Sequence, residues 1–294
     1  MKALCFGSLN IDYTYRVDHF VGRGETLSSR DLQVFSGGKG LNQSVALSRA
    51  GVKTYHAGAV GTDGLFLLEE LWQAGVNTDF VAVRNDVRTG HAIIQNTPDG
   101  DNCILLYGGA NQAITRGQVD EVLSGFAGGD VLVLQNEINE LAYLMQRAHE
   151  LGLRIALNPS PMHEAVLSLP LHLVDWLILN EVEAGQILGC CVTDGAAAAC
   201  ALREKFPQTA IVLTMGKNGS YYDDGTQRLH QCAFPVQAVD TTAAGDTYTG
   251  FFLAGVLEGL AVSDAMALAA KAAAISVTRP GAAPSIPERQ EVML

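Results

Sequence analysis

The residues best placed to do chemistry form one short run, Asp240-Thr241-Thr242-Ala243-Ala244-Gly245-Asp246-Thr247-Tyr248-Thr249-Gly250. Small side chains from Thr242 to Gly245 let a ligand touch backbone. The periodic apolar residues Phe251, Phe252, Leu253, Val256, Leu257 and Leu260 predict a helix over 245–259. The unpaired N–H groups at such a helix start, with the dipole behind them, attract an anion. A carboxylate at Asp246 is misplaced in a site that only holds anions. It fits a base that takes a proton from a hydroxyl attacking that anion. The plain structural alternative is an acidic N-cap.

Two other glycine loops have similar character. Ser36-Gly37-Gly38-Lys39-Gly40-Leu41-Asn42-Gln43 leads into a helix expected over 41–50 and ended by Gly51, with Lys39 and Asn42 as donors. It lacks the GxxxxGK[ST] spacing of a phosphate-binding P-loop, and a plain strand-to-helix turn is its structural alternative. Thr214-Met215-Gly216-Lys217-Asn218-Gly219 follows the apolar run 210–213, at the carboxyl end of a strand, where open α/β sheets bind ligands. Gly7-Ser8-Leu9-Asn10 after the first strand is not a GxGxxG fingerprint, which argues against a nicotinamide oxidoreductase.

The elements that must position these loops read as a repeating pattern. Unbroken apolar runs at 3–6, 55–60, 131–134, 155–157, 176–179 and 210–213 predict strands covered on both faces of a parallel sheet. Between them, Thr115, Asn139, Thr193-Asp194 and Ser263 predict helix starts, the last helix spanning 264–277 before Arg279-Pro280-Gly281. Repeated βα units predict a three-layer α/β/α body with right-handed crossovers. Two segments break the rhythm: 12–36 alternates Tyr13, Tyr15, Val17 and then Leu32, Val34, and strands at 91–95 and 103–107 flank Thr97-Pro98-Asp99-Gly100. These predict a small antiparallel lid, formed by about 12–36 and 88–108, within one domain of residues 1–294.

Charge narrows the partners. With 19 Lys and Arg against 31 Asp and Glu, a net charge of −12 repels nucleic acid and anionic membrane surfaces. A 48% hydrophobic chain without low-complexity tracts is not disordered as a whole. Six cysteines without a CxxC or Cys–His pattern read as small buried hydrophobes in a reducing cytoplasm, and seven histidines show no metal spacing. No apolar stretch is long enough to span a bilayer, and the first residues read as a strand rather than a signal segment. Exposed lid edges need a partner, so a homodimer through the lid is expected.

Together the three loops resemble the signatures of the ribokinase (PfkB) family of carbohydrate kinases, in the expected order and over essentially the whole chain, with the nearest likeness to its ribose-phosphorylating members. The resemblance implies a ribokinase-like fold and transfer of the γ-phosphate of ATP to a sugar's primary hydroxyl, D-ribose first. Asp246 would be the base, and Ala243, Ala244 and Gly245 an anion hole. Asn10, Asp12, Gly38, Lys39, Gly40, Asn42 and Glu137 would hold the sugar. Asn180 and Glu183, from Asn180-Glu181-Val182-Glu183, would organise Mg2+ and phosphates, while Thr214, Gly216, Lys217 and Gly219 would hold nucleotide with Gly245. Asp240, Thr242, Ser276, Arg279, Gly281 and Ser285 would bind a monovalent cation, K+ by expectation. The chain departs from the family pattern at Gln135-Asn136-Glu137-Ile138-Asn139 and Asn158-Pro159-Ser160-Pro161-Met162, which leaves another sugar or a nucleoside open as acceptor. A non-catalytic sugar or nucleotide sensor on the same fold is the alternative from another class.

Overall fold

The computed structural model describes residues 1–294. In chain order the elements begin with β1 (Ala3–Phe6), β2 (Asn10–Arg16), β3 (Asp31–Gly37), α1 (Lys39–Arg49), β4 (Thr54–Gly61), α2 (Leu65–Gln73) and β5 (Asn77–Arg84). There follow β6 (Gly90–Asn96), β7 (Asn102–Tyr107), α3 (Arg116–Leu123), β8 (Val131–Gln135), α4 (Leu141–Glu150), β9 (Arg154–Asn158), β10 (Trp176–Asn180) and α5 (Glu181–Leu188). The chain ends with α6 (Gly195–Lys205), β11 (Ala210–Thr214), β12 (Ser220–Asp223), β13 (Arg228–Gln231), α7 (Ala244–Glu258), α8 (Val262–Ser276) and α9 (Arg289–Met293).

All six predicted apolar runs are strands of one nine-stranded sheet, ordered β13-β12-β11-β10-β9-β8-β1-β4-β5, parallel except for the β12–β13 hairpin at one edge. The runs are unbroken because both faces are covered. In β1, Ala3 and Cys5 enter one apolar core with α1, α7 and α8, while Leu4 and Phe6 enter the other with α3 and α4. The strands β5, β12 and β13 escaped the pattern: β5 and β13, at the two edges, are only part covered, and β12, beside β13, is a short Ser-Tyr-Tyr-Asp segment.

The small sheet runs β3-β2-β6-β7. Each pair β2–β3 and β6–β7 is antiparallel, and the two pairs join through a parallel contact between β2 and β6. Its outer strand β7 is exposed along its whole length.

Several local expectations shift. Helix α1 starts at Lys39 rather than Leu41, because Gly38, at φ 95°, turns the chain early and the Gly40 and Leu41 amides bond to the Ser8 hydroxyl and carbonyl. A Cβ at Gly40 would lie 2.4 Å from the Ser8 nitrogen, so only glycine allows this approach. Asn139 does not cap α4. Its side chain is spent on the Ile114 amide and carbonyl, and Glu140 takes the cap with a left-handed φ of 58°. Helix α8 starts two residues early, at Val262, with Ala261 rather than Ser263 before it. Of the six cysteines only Cys5 is buried, whereas Cys103, Cys190, Cys191 and Cys232 are exposed, against the expectation of buried hydrophobes. No helix is long and apolar enough to cross a membrane.

Candidate active site

Asp246 sits in the first turn of α7 and is 7% exposed. It caps no backbone. The N-cap is Ala243, in the left-handed region at φ 60°, with no side-chain bond. Both carboxylate oxygens instead accept side-chain amides from α1, Oδ2 from Asn42 Nδ2 and Oδ1 from Gln43 Nε2, each at 2.9 Å. The unusual φ of Ala243 turns the loop so that the Ala244 amide reaches the Thr241 carbonyl at 3.3 Å and the Thr247 amide the Ala243 carbonyl at 2.8 Å. Of the expected anion hole, the Ala244 amide is thus engaged within the loop, while the Gly245 amide and, beside it, that of Asp246 have no acceptor in that turn. Ala243, Ala244, Gly245 and Asp246 thus wall a polar cavity of about 190 Å³, with Lys39, Asn158, Ser160, Asn180, Glu183 and Thr214 on its other sides.

Two further carboxylates, Glu137 and Asp12, stand near each other, and Glu137 shares the Lys39 charge with Asp246. Glu137 accepts the Lys39 amide at 3.0 Å and the Ser8 hydroxyl. Asp12 stands in β2 with its carboxyl leaning over Gly37 of β3, which pairs with Asn10; a Cβ at Gly37 would come 2.2 Å from Asp12 Oδ2, so glycine at 37 makes room for the carboxyl. Burial, reinforced by the Glu137 charge, pushes Asp12 up to about 6. Burial alone would lower the Lys39 ammonium. The surrounding charges of Asp246, Glu137 and Glu183 outweigh it and hold the lysine above its usual value. Asn10 accepts the Asn111 side-chain amide at 2.7 Å, and Asn111 is itself fixed by the Leu9 backbone.

Asn180 and Glu183 form a closed capping box at the start of α5. Asn180 Oδ1 accepts the Val182 and Glu183 amides, and its own N and Nδ2 donate to the two Glu183 oxygens at 3.0 Å. Beyond Gly245 a groove of about 550 Å³ opens, with Thr214, Gly216, Lys217, Gly219 and Ser220 at its polar end. Its remaining wall is small and apolar, including Ala233, Phe234, Pro235, Ala270, Ala273 and Ala274. Thr214, Thr241, Ala244 and Gly245 line both spaces, so the two meet at the head of α7.

The expected cation residues meet only in part. Asp240 accepts the Thr242 and Gly281 amides, each at 2.9 Å, tying two loops together. Burial would raise the Asp240 carboxyl, but these bonds outweigh it and keep it below its usual value. Ser276 accepts the Arg279 amide at 3.0 Å, and the Arg279 guanidinium turns away to Glu291. Ser285 bonds back to Ala282 in its own turn.

Three participants were missed from sequence: Gln43 and Gln135, which extend the hydrogen-bond chain from Asp246, and Asn111, which holds Asn10. Gln43 and Gln135 both stood inside segments already singled out, though with no role given to either, while Asn111 carries no spacing signal and is recruited only by the fold.

The same architecture occurs in known proteins. Over 98% of this chain and 95% of the relative, it is 35% identical to a ribokinase of Haemophilus influenzae. A solved Cryptococcus neoformans ribokinase in complex with ADP superposes with a TM-score of 0.86 at 34% identity, covering 99% of this chain and 98% of that one. An Arabidopsis thaliana ribokinase complexed with ribose and ATP superposes at 0.88 with 29% identity, covering 99% and 97%. The sequence profile of the pfkB family carbohydrate kinases matches residues 1–289, and the chain belongs to that family.

Proposed function

We propose that the protein transfers the γ-phosphoryl group of ATP to the primary hydroxyl of D-ribose, giving ribose 5-phosphate, with Asp246 as base. The observation that carries this reading is the buried Asp246 carboxylate standing beside the free Gly245 and Asp246 amides at the head of a helix, where two cavities meet. The names of its full-length relatives support ribose and ATP as the substrates.

The sugar lies against Asn10, Asp12, Gly38, Lys39, Gly40, Asn42 and Glu137, whose acceptors suit adjacent hydroxyls. The base lies in the apolar groove, with the phosphates reaching the head of α7 past Lys39, Asn180 and Glu183. Asp246 takes the hydroxyl proton as the oxygen attacks in line, and the Gly245 and Asp246 amides stabilise the charge that gathers on the transferred group. Glu183, on the wall of the polar cavity, would hold Mg2+ together with phosphate oxygens and water. When bound, it offsets phosphate charge. The loop tied by Asp240 is the proposed K+ site, with Thr242, Ser276, Arg279, Gly281 and Ser285 contributing largely through main-chain carbonyls. The small sheet serves as the lid of a single 294-residue domain, and its exposed Leu32, Val34, Leu105 and Leu106 support pairing of two lids in a cytoplasmic dimer.

The test is an ADP-release assay across pentoses, hexoses and nucleosides, run on wild type and Asp246→Asn. Ribose-dependent turnover falling roughly 10²–10⁴-fold, with ribose and ATP still bound, is the expected result. Undiminished turnover in the variant removes Asp246 as base, and turnover with another acceptor only removes ribose. A wild-type protein that binds sugar and nucleotide but turns over neither is a sensor.

A further inference from the structure

We propose that Gln43 and Gln135 form a positioning relay that fixes the orientation of Asp246, and that Gln135 acts solely through Gln43. This rests on Asp246 being the base.

Four buried side chains from four elements stand in line. Asp246 Oδ1 accepts Gln43 Nε2 at 2.9 Å, Gln43 Oε1 accepts Gln135 Nε2 at 2.7 Å, and the same Gln135 nitrogen lies 3.5 Å from Cys5 Sγ. Gln43, Gln135 and Cys5 are all fully buried. Chemistry sets the direction of the chain. An ionised carboxylate only accepts, so Gln43 must offer it the amide nitrogen, which turns the Gln43 carbonyl toward Gln135. Gln135 must then answer with its own nitrogen. A flip of Gln43 alone would set its carbonyl against the carboxylate and two nitrogens against each other. Gln135 therefore determines which face of Gln43 the base meets.

The arrangement leaves a cost that packing does not explain. Gln135 Oε1 is buried without any hydrogen-bond partner. It lies against Gly7, where a Cβ would come within 2.1 Å of it, so the backbone of β1's exit makes room for a carbonyl that nothing satisfies. An apolar side chain of the same length would remove this orphan but leave Gln43 Oε1 without its one donor. What the second glutamine adds beyond that exchange is the direction in which Gln43 faces the base.

The experiment is a double-mutant cycle with Gln43→Met and Gln135→Met, measuring kcat, both KM values and melting temperature. Gln43→Met should lower kcat roughly 10–100-fold with both KM values within about threefold. Gln135→Met should lower kcat about 3–10-fold while melting within about 3 °C of wild type. In the Gln43→Met background it should lower kcat no further. Additive losses, a Gln135→Met variant that melts early with normal kcat, or KM rising in place of kcat falling would each overturn the relay. Gln135→Leu guards against a folding failure of the methionine variant. It too lacks the donor and should lower kcat about 3–10-fold, and a normal kcat counts against the relay. If Asp246→Asn leaves turnover intact, the base assignment fails first; normal Gln43→Met kcat beside a dead Asp246→Asn fails the relay alone.

Discussion

At the proposed sugar end of the cleft, Asp12, Glu137 and Lys39 are charges drawn partly out of water, and Asn10 and Asn42 are amides fixed by neighbours. At the nucleotide end the groove is alanine, phenylalanine, proline and valine around two glycine turns. The two materials recognise differently. Directional groups held in place lose a great deal when a partner hydroxyl is missing or shifted, whereas an apolar wall discriminates by shape and by little else. On the proposed assignment, specificity is concentrated at the acceptor end, and the donor end contributes affinity.

The strongest blow to this contrast is Asp12→Ala, which should raise the ribose KM by roughly 100-fold while the ATP KM moves less than threefold. Equal changes in both, read from initial rates, would erase the division. Next is a stability effect. The folded protein keeps a proton on Asp12 up to about 6, against an ordinary value of 3.8, so between those values the folded state holds a proton the unfolded chain has released. The stabilisation relative to neutral pH is complete below the ordinary value and drains away as pH rises through about 6. Asp12→Asn should therefore stabilise the sugar-free protein at pH 7.5 by on the order of 2 kcal/mol and flatten that slope in denaturant melts, even as it weakens sugar binding. At the other end, replacing Na+ by K+ should raise turnover several-fold through the Asp240 loop, and Asp240→Asn should abolish the difference. The smallest effect is a base swap. GTP should support turnover within about tenfold of ATP, because no charged side chain but Lys217 lines the groove. A hundredfold preference would reveal base reading by groups that the wall does not display.

The body was legible because burial on both faces leaves a plain mark, and β1, β4 and β8 through β11 all fell on unbroken apolar runs. The half-covered strands β5 and β13 leave a weaker mark, and Asn139 misled because a good capping residue was needed elsewhere by Ile114. Within the site, loops that approach ligand backbone-first declare themselves through glycine and alanine, so the 36–43, 214–219 and 240–250 runs were readable. Asn111 and Gln135 were not. Each acts on a residue about a hundred positions away, and nothing in local spacing encodes a contact made only when β1 threads between its neighbours.

Only residues 7–9 separate β1, in the middle of the body, from β2, in the middle of the small sheet. Asn10 and Asp12 therefore ride on the cover itself, hinged directly to the rigid floor. Were sugar held there as proposed, its grip on those two side chains would pass into the small sheet through three residues of backbone, with no intervening element to absorb it.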